Sequence, residues 1–395
     1  MIYKINMKII DVHIHVGHRF EWTDPAKKLW MDTGPYVPAI FDDEDRQQPQ
    51  QYGDAIKQEG VIGGILIPEY SPFSAGVMPF ERAAEINALH PELIPVANLN
   101  PRYHDDLQFA FEKQLAAGAR GLKIHPIHGY FYANNRKLYP VYEKCQQNGL
   151  PVMFHAGTSL FRGAKMRYSD PYTFDDVISD FPGLKIVLCH GGRGFWYHIA
   201  EFMVKRFDNV FIDVSGLPPK NLLQYFPSMK MFGHKYLFGT DFPGVPGIKK
   251  NYEVLRKLIN DETIMGLIGF KNAYDLFGFW KEGIFELTNE GEVLKIINDI
   301  AKQFLKETPE NRLAQKFTSI KKIRGETKKT RFYVYMKDMR PLALIGKEQT
   351  TDATLIHHVY VMPKYQRQRI GSKLIQFIEK TTDTEYLIAN IWHKA

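Results

Sequence analysis

Eight short apolar runs, each closed by glycine, proline or a polar residue, recur between residues 7 and 280: Met7 to Val16, Val61 to Pro68, Leu93 to Leu99, Gly121 to His125, Pro151 to His155, Lys185 to His190, Val210 to Val214 and Lys235 to Asp241. Apolar runs of this length read as strands buried on both faces, as in a parallel sheet. Helical segments separate them at Glu81 to Leu89, Leu107 to Ala117, Leu138 to Asn148, Phe174 to Asp180, Trp196 to Arg206 and Leu222 to Phe226. Strand-helix units of this number and size build a (β/α)8 TIM barrel of about 250 residues. A doubly wound open sheet would carry a glycine-rich phosphate loop after an early strand, and none is present. Polar placement decides for the barrel. Asp11, His13, His15, His125, His155, His190 and Asp241 lie in or at the ends of the predicted strands, and a barrel gathers those ends at one mouth.

In Ile9-Ile10-Asp11-Val12-His13-Ile14-His15-Val16 the side chains alternate, so Asp11, His13 and His15 share one face of an apolar strand. Burying three ionisable groups is costly unless they are paired or hold a metal. Two imidazoles two residues apart reach one ion, at about 2.0 to 2.1 Å from zinc. His155 and His190 each end an apolar strand before a glycine turn, and Asp241 ends the eighth strand, beside the first in a closed barrel. Histidines and one carboxylate with room for water suit a catalytic zinc site. The first connection, residues 17 to 55, is long and holds Trp22, Trp30, Tyr36 and Phe41. Such an insertion is a lid, a substrate wall or a subunit contact.

These residues carry a resemblance. Asp11-x-His13-x-His15, Gly121-Leu122-Lys123-Ile124-His125-Pro126, Phe154-His155-x-Gly157, His190-Gly191-Gly192, Gly239-Thr240-Asp241-x-Pro243 and Lys271-Asn272-Ala273 resemble the amidohydrolase superfamily over residues 7 to 280, in the branch that includes aminocarboxymuconate semialdehyde decarboxylase. The resemblance implies that His13, His15, His155 and Asp241 bind one metal, that His190 helps activate water or substrate, and that Asp241 or His190 moves the proton. In other branches a carboxylated lysine on the fourth strand bridges two metals, whereas this branch is usually mononuclear. Lys123 therefore reads as a contact to a substrate carboxylate or a structural ion pair, with His125 on the same face. Arg193 reads as a partner for an acidic substrate or as a rim salt bridge.

Residues 281 to 395 change character, with strands at Gly283 to Thr288, Phe332 to Met336, Leu342 to Lys347, Leu355 to Val361 and Tyr386 to Trp392, and helices at Glu290 to Glu307 and Gly371 to Lys380. A Lys/Arg-rich connector spans residues 321 to 331, and the boundary falls near Trp280 to Gly283. This smaller α+β domain resembles the GNAT acetyltransferases. The run from Val361 through Gln366-Arg367-Gln368-Arg369-Ile370-Gly371-Ser372 matches that family's acetyl-CoA loop, where amides at a helix N-terminus cradle a pyrophosphate. Arg369 stands where the pattern has its first glycine. The family's last helix and strands do not follow, so the domain reads as truncated, a weak acetyl-CoA binder and a poor acetyltransferase. Its last strand would lie near an open edge, which a second copy would cover in a homodimer.

The net charge of +7 is confined to this segment, where 21 Lys and Arg oppose 14 Asp and Glu, leaving the rest of the chain balanced. A basic face without interleaved aromatics or a recognised fold gives no case for nucleic acid. There is no long apolar run to span a membrane and no signal-peptide order at the start. Residues 1 to 6 read as an extension before the first strand. Two cysteines, Cys145 and Cys189, build no disulfide framework, and with them a reducing cytoplasm is the expected location. The expectation is a metal-dependent hydrolase that cleaves a C–N or C–O bond of a small, acidic molecule. The alternatives are a non-oxidative decarboxylase using the same ligands and a non-catalytic metal or CoA sensor.

Overall fold

The computed structural model describes residues 9–28, 34–279, 282–287, 293, 296–298, 329–337, 340–382, 384 and 386–389. Trp30, the connector at 321–328, most of the helix expected over Glu290 to Glu307, and residues 390–392 of the expected last strand lie outside them. The chain divides into two compact units, Met1–Phe279 and Trp280–Ala395.

In the first unit the strands Ile9–His15, Val61–Ile67, Leu93–Pro95 continuing as Ala97–Asn98, Leu122–Ile124, Val152–Gly157, Ile186–Arg193, Val210–Asp213 and Tyr236–Leu237 run in parallel. The third strand joins two sheets, since Val96 N donates to Leu66 O at 3.1 Å and Ala97 N to Gly121 O at 2.9 Å. The eighth closes on the first through Val12 N to Phe238 O at 3.0 Å, Asp241 N to His13 O at 3.0 Å and His15 N to Phe242 O at 2.9 Å. These bonds join the end of the eighth strand to the first and close the (β/α)8 ring. Helices Pro49–Gln58, Phe80–Leu89, Leu107–Ala116, Tyr139–Gln147, Pro171–Asp180, Tyr197–Arg206 and Ile248–Ile259 surround it. The helix Pro49–Gln58 begins inside the connection expected over residues 17 to 55. Short first turns opening with Pro49, Pro126 or Pro171 follow from the fixed φ of proline, which suits a helix start. Cys145 and Cys189 are free and buried.

The second unit is a five-stranded sheet in the order Glu282–Leu287, Thr330–Lys337, Arg340–Gln349, Ala353–Val361, Tyr386–Ala389, antiparallel except for the last pair. Alternation along one strand feeds both faces. Phe332 and Val334 pack with Val293, Ile296 and Ile297 on one side, while Tyr333 and Tyr335 pack with Ile370, Leu374 and Ile378 of the helix Ile370–Lys380 on the other.

Candidate metal centre at the barrel mouth

His13 lies on the first strand, which pairs with the second and the eighth, and its side chain reaches across to the seventh. Its Nδ1–H donates to Asp213 Oδ2 at 2.5 Å, and Ser215 Oγ lies 2.8 Å from both atoms. A carboxylate only accepts, so the proton sits on Nδ1 and the Nε2 lone pair faces the barrel axis. That Nε2 is buried without a hydrogen-bond partner among the described residues, and it lies 3.3 Å from Asp241 Oδ1. His15 Nε2 is 3.1 Å from the same oxygen. Burial, reinforced by the charge of Lys123, pushes His13 down to about 4, so a neutral donor is what it offers. Burial would raise Asp241, but His190, His13 and His15 outweigh it and hold the carboxyl well below its usual range.

Asp11, expected on the same face, does different work. Its carboxylate accepts from His13 N and Thr240 N at 3.0 Å each and from Thr240 Oγ1 at 2.5 Å, so it ties the first strand to the eighth. His190 donates Nδ1–H to Ser215 O at 2.9 Å, leaving Nε2 as its accepting side. Its ring centroid lies 4.8 Å from that of His13 and 4.6 Å from that of His155. His190 and Asp241 both adopt positive φ, 63° and 76°, sparsely populated backbone of the kind that clusters at functional sites.

Two donors each about 2.0 to 2.1 Å from one zinc at tetrahedral angles stand about 3.4 Å apart. The spacings of 3.3 and 3.1 Å around Asp241 Oδ1 match that requirement, and donor atoms of His13, His15 and Asp241 all lie within 4.8 Å of one another. His13, Cys189 and Asp213 also cluster, but Lys123 Nζ donates to Cys189 Sγ at 3.0 Å and burial pushes that thiol up to about 12. Gly216, at φ 63°, keeps the cradle open, because a Cβ there would lie 2.5 Å from Asp241 Oδ2 and 2.8 Å from Arg193 Nη1.

The structure thus brings His13, His15, Asp241 and His190 together. His155 stands one ring away, with Nε2 3.3 Å from Thr158 O. Lys123 is fully buried and turned to Cys189, beneath the mouth rather than on its rim. Arg193 grips Thr158 O through Nε and Nη2 and reaches Asp241 Oδ2 at 3.8 Å. His125 faces Asn98 Nδ2 at 3.2 Å and Glu69 Oε2 at 3.4 Å. Trp22 packs its ring edge-on to His15, at 5.7 Å between centroids, so the first insertion supplies a wall. Sequence reasoning missed Asp213, Ser215, Glu69 and His128. Asp213 gave the signal that exposed His13, a charge inside the apolar run Val210-Phe211-Ile212. Glu69 follows directly on the second apolar run, and His128 lies one helical turn past His125.

In the second unit Arg367 and Arg369 take φ of 62° and 60°, so Arg369 adopts the left-handed shape a glycine would take without cost. It caps the helix Ile370–Lys380. Gln366 Nε2 donates to Val361 O at 3.3 Å, closing the turn. Among the described residues no helix is long and apolar enough to cross a membrane.

Residues 10–279 match the family described as amidohydrolase, and residues 297–391 match the acetyltransferase (GNAT) domain. A 2-keto-4-carboxy-3-hexenedioate hydratase of Sphingobium sp. is 26% identical over 291 residues, 60% of this chain and 84% of that protein. An uncharacterised TIM-barrel protein of Bordetella bronchiseptica superposes with a TM-score of 0.57 at 22% identity, over 69% of this chain and 99% of that one. A probable 2-pyrone-4,6-dicarboxylic acid hydrolase of Acinetobacter baumannii, with citric acid bound, does so with a TM-score of 0.50 at 17% identity, over 69% and 100%. The two solved structures share the fold.

Proposed function

Because this chain belongs to the amidohydrolase family and is an enzyme, we propose that its barrel is a zinc-dependent hydrolase of a C–N or C–O bond in a small carboxylated substrate. The observation that carries this reading is the pair of imidazole nitrogens 3.3 and 3.1 Å from one Asp241 oxygen, each spaced as zinc ligands are. His13, His15 and Asp241, with His155 as the fourth ligand, would hold the metal, which would acidify a bound water and polarise a carbonyl. Asp213 keeps the His13 proton on Nδ1. The Nε2 of His190 accepts the proton that the attacking water sheds and returns it to the leaving group. Arg193, held at the mouth by Thr158 O, offers its charge and Nη1 to a substrate carboxylate. Trp22 and the buried ring cluster exclude bulk water, which strengthens each of these charges.

Hydration of a carbon–carbon double bond is the second reading, favoured by the hydratase relative. Product masses from a panel of small acids, amides, lactones and unsaturated acids decide. Cleavage with gain of water supports the hydrolase, uncleaved gain of water the hydratase, and loss of carbon dioxide a decarboxylase. Elemental analysis of protein purified without chelator should give one divalent metal per chain, and His13→Ala should lose it while staying folded. Metal absent from the native protein overturns the proposal. His190→Asn should keep the metal and lose most activity. At the second unit we propose weak acetyl-CoA binding at the turn from Gln366 to Ser372, with Arg367 and Arg369 pairing phosphates. Calorimetric titration with acetyl-CoA tests it, and micromolar binding with fast acetyl transfer to polyamines overturns it.

A further inference from the structure

A buried hydrogen-bond relay lies beside the donor set. Glu69, in the hairpin of Glu69–Ser71 and Gly76–Met78 that follows the second strand, has no solvent exposure. Its Oε1 accepts from His128 Nδ1 at 2.7 Å. On the far side of the ring, His128 Nε2 lies 2.8 Å from Ser159 Oγ. His128 sits in the short helix Pro126–Gly129 after the fourth strand and is 5% exposed, while Ser159 lies in the loop after the fifth strand and is half-buried. Three elements far apart in sequence therefore converge on one line of hydrogen bonds.

The chemistry of the partners fixes its direction. Burial would raise Glu69, but His125 and His128 outweigh it and hold the carboxyl well below its usual range. An ionised carboxylate only accepts, so Nδ1 of His128 carries a proton, and in the neutral ring Nε2 is then the acceptor. In that state the Ser159 hydroxyl donates to Nε2 at 2.8 Å. Phe161 N donates to the same oxygen at 3.1 Å, which holds Ser159 Oγ in place. A buried acid that orients a histidine, which in turn polarises a serine hydroxyl, is the arrangement that activates serine nucleophiles on unrelated folds.

We infer that Glu69, His128 and Ser159 form a second reactive site, in which Ser159 is an activated nucleophile toward acyl groups of small esters. Ser159 Oγ adds to the ester carbonyl while its proton passes to His128 Nε2. The bond to the alcohol oxygen breaks as that oxygen takes the proton. Water then cleaves the acyl-serine by the same route, releasing the acid and restoring the hydroxyl, with no redox partner. None of the three residues belongs to the proposed donor set of His13, His15, Asp241 and His155, although the centroid of the His128 ring lies 4.7 Å from that of His155.

Diisopropyl fluorophosphate tests this on the full chain without knowledge of the substrate. The serine oxygen displaces fluoride from phosphorus, and the proton leaves through His128. Intact mass and peptide mapping should show one adduct per chain, on Ser159, and none in Ser159→Ala, which removes one half-buried oxygen and leaves the fold intact. Labelling of His128→Gln should slow by about 100-fold, the usual scale of a lost general base. Glu69→Gln should also slow it, and chelated wild-type protein should label as fast as the metal-loaded form. No adduct on folded wild-type protein, an adduct persisting in Ser159→Ala, an unchanged rate in His128→Gln, or loss of labelling on chelation would each overturn the inference.

Discussion

At the proposed centre Asp213 would act through His13, since its bond to Nδ1 at 2.5 Å leaves Nε2 facing Asp241. Outer partners of this kind typically change metal affinity by about 10- to 100-fold when removed. Asp213→Asn should therefore weaken zinc by about that factor, measured by competition with a chelating dye, while circular dichroism stays unchanged. An unaltered affinity would show that Ser215 alone sets the tautomer. Asp11 illustrates the converse. It shares the strand and the burial of the two histidines, yet its three accepted hydrogen bonds make it a clasp between strands.

Between elements, the helix Pro49–Gln58 and the end of the helix Phe80–Leu89 approach so closely that only glycine fits at position 53. A Cβ there would lie 2.1 Å from the His90 ring. Alanine would gain about 1 kcal/mol of helix propensity, but overpacking costs about 1 to 3 kcal/mol. Gly53→Ala should thus lower the denaturation midpoint. The same contact holds a pH-sensitive group. Burial acts to raise Glu92, but His90, with Nδ1 at 3.7 Å, and Lys57, with Nζ at 2.8 Å, outweigh it, so its folded pKa is depressed. Its contribution is present above the unfolded value of about 4.3 and is lost as pH falls below that toward the folded value. Urea titrations between pH 3 and 6 should show Glu92→Gln less stable at pH 6 and with a flatter acid limb than the wild type.

Over the whole molecule, each unit carries its own core, and the donor set belongs to the first alone. A ligand that binds only the folded state stabilises it by about 4 kcal/mol at a thousandfold excess over Kd. Calorimetric scans with zinc and with chelator should therefore move the melting of the barrel and leave that of the C-terminal unit in place. A shift of both transitions by the same amount would show that the two units unfold as one.

Local pattern was enough for the barrel. Apolar runs with polar ends follow from burial on both faces, and an imidazole pair two residues apart on one strand, like Asp241 at the end of another, is visible to anyone counting along the chain. The α+β unit was legible for the same reason, through the alternation that sends Phe332 and Tyr333 to opposite faces. Residues separated by some two hundred positions, such as His13 and Asp213, carry no mutual mark in the sequence, because hydrogen bonds are set by the register of strands that meet only when the ring closes. The tertiary structure alone therefore decided that Asp11 is a clasp, that Lys123 turns to Cys189, and that Glu69, His128 and Ser159 fall on one line, since each depends on distances of about 3 Å between separate elements.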